Sequence, residues 1–174
     1  MNTNYIFMNT IIQPQIIVPI FLLLLQAGIL LFVTISILRT LGILKTPYAG
    51  IDYSYAITAA AYIGGAIFIS TAQISALFQS YKVFHNQGVD IISNIFHKFS
   101  QFFLVIVFFE IIYFLVFLFL SKVFTGTKKL KDVLEANIPL SALIAVSTIV
   151  FSVICWSIAC ELINSMIPDF ITIR

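Results

Sequence analysis

The sequence predicts an all-α polytopic membrane protein, with four transmembrane helices arranged as two parallel two-helix repeats. Three observations predict it. Of the 174 residues, 61% are hydrophobic and only 9% are charged, whereas a soluble domain is about 45–50% apolar and about 25% charged. Four apolar stretches each supply the roughly 20 residues that a helix needs to cross a bilayer core. None of these stretches alternates apolar with polar residues as a barrel strand does, and helices satisfy their own backbone polar groups in lipid. Seven acids and nine Lys or Arg residues cannot clothe a water-soluble globule of this length. That excludes a soluble enzyme, a disordered tail and a nucleic-acid binder, which would need a basic patch. The net charge of +2 names no partner. Residues 1–174 therefore read as a single transmembrane domain whose first partner is the lipid bilayer.

The first span covers about residues 16–38, with Pro14 and Pro19 at its entrance, where a helix tolerates proline. No Lys or Arg precedes it in residues 1–14, so it reads as a retained span and not as the core of a secretory signal. The second covers about 55–78, the third 102–120 and the fourth 138–166. Charges or turn residues bound each one: Arg39 and Lys45, Lys82 and Lys98, Lys122 through Lys131, then Pro168 and Asp169.

Orientation follows from the excess of Lys and Arg in short cytoplasmic loops. Arg39, Lys45, Lys122, Lys128, Lys129 and Lys131 share one side, against Lys82, Lys98 and Arg174 on the other. This places loops one and three in the cytoplasm and both termini outside. Residues 88–98 carry Ile91, Ile92, Ile95 and Phe96 opposite Asp90, Ser93, Asn94 and His97, the pattern of a short helix lying at the outer interface. Leu130, Val133 and Leu134 form a similar stripe in residues 128–135 on the inner side.

A shift of 83 residues sets Arg39 on Lys122, Lys45 on Lys128 and Asp52 on Glu135, and aligns Thr58 with Ser141 and Phe68 with Phe151. The halves, about 16–80 and 99–166, each hold two spans and so share an orientation, as in parallel transporter repeats. Spans two and four carry small residues at four-residue spacing: Ala56, Ala60 and Gly64; Ala61 and Gly65; Ser141 and Ala145. Such spacing lets helix backbones approach closely within a chain or between chains. Spans one and three are bulky and suit lipid, which predicts two and four at the centre or at a subunit interface.

Glu110, in the middle of the third span, stands out, and two roles are open to it: a structural hydrogen bond to a neighbouring helix, which is the first expectation, or a proton relay or cation site in transport. An acid at that depth costs about 2.5–3.5 kcal/mol on insertion scales and by default faces a cavity or a partner. Gln26, at similar depth in the first span, is a candidate to meet it. Gln73 with Ser70 and Ser75 gives span two a polar stripe that could line a vestibule with Glu161, although Glu161 is near enough to the span's end to reach water. Trp156 lies too deep for an aromatic belt and reads as packing. Cys155 and Cys160, five residues apart on one helix, point in different directions and read as apolar fillers. His85 and His97 lack the ligand set of a metal site, and no nucleophile–base set, phosphate loop or HExxH appears. The expectation is no enzyme, no metal and no cofactor.

Thr46-Pro47-Tyr48, the acidic turn at Asp52 and the Ala- and Gly-rich run 56–66 resemble the repeat of the bacterial family called domain of unknown function 350. Glu135-Ala136-Asn137, followed by Ser141 and Ala142, is similar to the opening of that repeat's second helix. The first copy departs, with Ser54 at the Asn position, and Pro139 stands where a small residue is the rule. The resemblance covers about residues 20–165 and implies a four-span protein of the bacterial inner membrane. It implies no reaction and no site residues. Together these readings predict a self-associating scaffold or envelope-complex subunit that forms homo-oligomers or joins other membrane proteins. The alternative is a proton- or cation-conducting channel or transporter using Glu110, with Gln26 or Gln73 nearby.

Overall fold

A computed structural model describes residues 14–43, 53–87, 90–126 and 137–167. Loop one beyond Ile43, the stripe at 128–135 and the family-like residues Thr46, Pro47, Tyr48, Asp52, Glu135 and Ala136 lie outside them. The described residues form helices α1 (Pro14–Thr40), α2 (Tyr53–Ser70), α3 (Ala72–Gln87), α4 (Ile91–Thr125) and α5 (Ile138–Ser165). There is no strand among them. Four helical stretches are long and apolar enough to cross a membrane: Ile17–Thr40, Tyr53–His85, Ile91–Thr125 and Ile138–Ser165. The chain is an all-α, four-span integral membrane protein.

Span two is not one helix. Its axis is interrupted at Thr71, whose N–H donates to Phe68 O at 3.1 Å, one residue short of α-helical register. Thr71 Oγ1 donates to the same carbonyl at 2.7 Å, and Ser70 Oγ to Ile67 O at 2.7 Å. Short hydroxyl side chains that compete for helix carbonyls in this way bend helices. No Pro or Gly sits at the break to announce it in the sequence.

Asp90 and Asn137 start the last two helices. Asn137 Oδ1 accepts from Leu140 N at 3.1 Å, and Asp90 Oδ1 from Ser93 N at 3.4 Å, each satisfying an orphan donor of the first turn. Residues 91–98, expected as a separate interfacial helix, are instead the first turns of α4, continuous with span three. Ile95 turns inward and is buried, while Ile92 and Phe96 stay exposed, so the expected apolar stripe is shared between core and surface. Lys98 Nζ donates to Met166 O at 2.8 Å and ties this extension to the end of α5.

The core lies where α2, α4 and α5 meet. In its most apolar stretch, half of span two is buried and a third of span four, against 17% for span one. Span two is thus the most enclosed and span one the rim, while span three, expected with span one against lipid, is buried to 28% and sends Phe102, Tyr113 and Phe117 into the centre beside span four. The close approach depends on Gly65: a Cβ there would lie 2.7 Å from Tyr113 Cζ and 2.9 Å from Ser152 Cβ. Into that gap comes Tyr113, fully buried, stacked on Tyr62 with ring centroids 5.0 Å apart. Its hydroxyl donates to Ala61 O and Tyr62 O at 3.4 and 3.3 Å. Phe117 also packs on Tyr62, tilted, with centroids 4.6 Å apart.

Candidate functional site

Among the buried polar groups of the described residues, two places lie against α1 beside a cavity. The first is at the break in span two. Gln26 of α1 and Gln73 of α3 are almost fully buried, and Gln73 Nε2 donates to Gln26 Oε1. The other halves of the two amides, Gln26 Nε2 and Gln73 Oε1, have no hydrogen-bond partner among the described residues. A groove of about 310 Å³ passes beside them, rimmed by Ser70 and Thr71 and otherwise by apolar residues such as Leu23, Ile67 and Phe78.

The second is Glu110. Here α1 and α4 diverge to leave a cleft of about 220 Å³ between Ile29, Leu30, Val33, Thr34 and Ile37 on one side and Phe103, Val107, Ile111 and Phe114 on the other. Tyr62 of α2 belongs to its lining, and Glu110 and Thr34 are its other polar side chains. Glu110 Oε1 is buried with no hydrogen-bond partner among the described residues. Ile29, Val33 and Ile111 are about half exposed, so the cleft opens sideways onto the surface that faces lipid. A second hollow, about 300 Å³, shares Val33, Ile37 and Phe114 and continues along α1 past Ser36 to Thr40.

The anticipated meeting of Gln26 with Glu110 is therefore replaced by Gln26 with Gln73. Glu110 faces α1 one to two turns further along, at Leu30 to Thr34. Both Gln and Glu had the right depth, but the angular position of each side chain decides the partner. Nor does span two present one polar stripe. Gln73 turns inward, whereas Ser75 is exposed and accepts from Gln79 Nε2 at 3.1 Å. Glu161 is exposed on α5 and takes no part in the groove lined by Gln73 and Ser70.

The small residues divide into two sets. Ala61, Gly65, Ser141 and Ala145 are buried between helices of the same chain. Ala56, Ala60 and Gly64 lie on the opposite face of α2, exposed, and a Cβ built on Gly64 meets nothing within 4 Å. Trp156 packs on Phe68 with centroids 5.0 Å apart, as its depth suggested. Cys155 and Cys160 are both free, and Cys160 Sγ approaches Ala72 O at 3.9 Å, beside the break. Among the described residues no three His, Cys, Asp or Glu side chains come together. Sequence reasoning missed Thr34, Tyr62 and Tyr113; an alternative helical register for each span, tested against Glu110, is the signal that could have found the first two.

Comparison with known proteins returns no match, whether against protein families, curated proteins or solved structures.

Proposed function

We propose that this chain is a non-enzymatic subunit of a bacterial inner-membrane assembly, one that pairs with a second copy through α2 and serves as a membrane scaffold. The observation that carries the reading is the outward line of Ala56, Ala60 and Gly64, which no helix among the described residues covers. Bulky residues around it, Tyr53 and Ile67 among them, are also exposed. Small residues at this spacing allow two helix backbones to approach, and van der Waals packing then drives association in lipid. The resemblance to domain of unknown function 350 is the ground for the bacterial inner membrane alone, and the Lys and Arg bias is the ground for loops one and three in the cytoplasm. The test is crosslinking in native membranes. With Cys155 and Cys160 replaced by Ser, Ala60→Cys should give a dimer with a short bismaleimide. The exposed Ile154→Cys on α5 should not. Monomer alone at Ala60→Cys refutes the pairing.

A second reading, proton or cation conduction, is favoured by Glu110, an acid with an unpartnered oxygen in a mid-span cleft. Liposome flux by the wild type against Glu110→Gln tests it. Flux no greater than that of empty vesicles rejects it.

A further inference from the structure

Several features carry little weight alone. The half-paired amides of Gln26 and Gln73 satisfy each other in part, and the exposed His85 and Glu161 line none of the three hollows described above. The Glu110 cleft is different, because charge, shape and access all converge there.

A carboxyl at mid-span is expensive in lipid unless it faces a cavity or a partner. Glu110 has the cavity, and its Oε1 receives no donor from the described residues. The basic residues on the helices flanking the cleft are Arg39, five residues past Thr34 on α1, and Lys98 and Lys122, each twelve residues from Glu110 on α4, and none of the three lines the cleft. The walls are aliphatic and aromatic: Leu30, Val33, Val107 and the rings of Tyr62, Phe103 and Phe114. Aromatic faces attract cations, the more so once these are desolvated. An occupant must therefore be apolar over most of its surface and carry one positive charge. It must also arrive from the side, since Ile29, Val33 and Ile111 open the cleft to lipid. A phospholipid does not meet these conditions, because its head stays at the membrane surface while Glu110 lies near the middle of residues 102–120.

We propose that the cleft between α1 and α4 is a binding site for a compact hydrophobic monocation, a substituted ammonium, whose charge sits against Glu110. Phe103 and Phe114 flank its alkyl groups, over a floor to which the buried Tyr62 contributes. The adjoining hollow, which runs from Val33 past Ser36 toward Thr40, takes one longer substituent. Thr34 contributes a hydroxyl on the α1 side. The inference uses the same carboxyl as the conduction reading but requires no transport. Binding and flux are separate measurements, so either can fail without the other.

Tetrapropylammonium, which carries its charge at every pH, is the probe. Equilibrium dialysis against the full chain in lipid nanodiscs should show one saturable site. Glu110→Gln should weaken binding at least tenfold, whereas Glu110→Asp should keep most of it. Ile111→Trp, which fills the mouth and leaves the carboxyl in place, should also weaken binding tenfold. The wild-type protein supplies a test free of folding effects: a hydrophobic carbodiimide should label Glu110, and tetrapropylammonium should protect it. Equal binding to wild type and Glu110→Gln, full binding to a folded Ile111→Trp protein, or labelling unaffected by the cation would each overturn the proposal.

Discussion

Adjacent glycines on α2 offer a sharp test of how the bundle is packed. Gly64→Ala and Gly65→Ala add the same methyl group to the same helix, so the gain in helix propensity, about 1 kcal/mol over Gly, is common to both. At Gly64 the new Cβ meets open space. At Gly65 it falls on Tyr113 Oη, 2.7 Å from Cζ and 2.9 Å from Ser152 Cβ. Tyr113 has little room to retreat, being fully buried and stacked on Tyr62. Overpacking of this kind costs about 1–3 kcal/mol, and displacing the hydroxyl from its two carbonyl acceptors adds about 1 kcal/mol. The two variants should therefore differ by about 2–4 kcal/mol, with Gly65→Ala the less stable. Reversible unfolding in mixed SDS micelles measures this. Trp156, the only tryptophan, packs on Phe68 across the α2–α5 contact and supplies the fluorescence signal. Superimposable unfolding curves for the two alanines would refute the close approach of α2 to α4 and α5. Adding Tyr113→Phe to Gly65→Ala should restore only part of the loss, because the Cζ and Ser152 contacts remain.

Other outcomes follow from the same structure. A double-mutant cycle on Gln26→Leu and Gln73→Leu should give a coupling of about 0.6 kcal/mol and no more than about 1.7, the range found for hydrogen bonds between membrane helices; zero coupling would deny the contact. Asn137→Ala should destabilise the fold by about 1 kcal/mol by leaving Leu140 N without its cap, and Asn137→Asp should not. Reporter enzymes fused at the N- and C-termini should both report the same side of the membrane, and a pair on opposite sides would contradict the even number of spans.

Much of this architecture is legible in the sequence because bilayer thickness and backbone satisfaction leave so few choices. The four spans, the more buried positions of spans two and four, and the depth of Glu110 all follow from apolar run length and residue size. What escapes is rotational. Ala56 and Ala61 belong to equally plausible stripes, yet only the second is buried, since a helix of nearly uniform hydropathy gives no cue to its inward face. Gln26 likewise had two polar candidates within reach, and a small rotation of α1 chooses Gln73. The break at Thr71 escapes for another reason. Ser and Thr bend a helix through hydrogen bonds to its own carbonyls, and the same residues occur in straight helices elsewhere in this chain, as Thr148 does in α5.

The apolar run in α4 accounts for its last two-thirds; the eleven residues from Ile91 to Gln101 add about 16 Å of rigid rod at 1.5 Å per residue. Beside it α3 carries on to Gln87, and buried Tyr81, Val83 and Phe84 show that this part is packed and not frayed. Residues 102–120 already match a hydrocarbon layer of about 30 Å, so residues 91–101 are length beyond what one perpendicular crossing requires. That end of the bundle is a braced pair of rods, with α4 tied to the end of α5 by Lys98 on Met166.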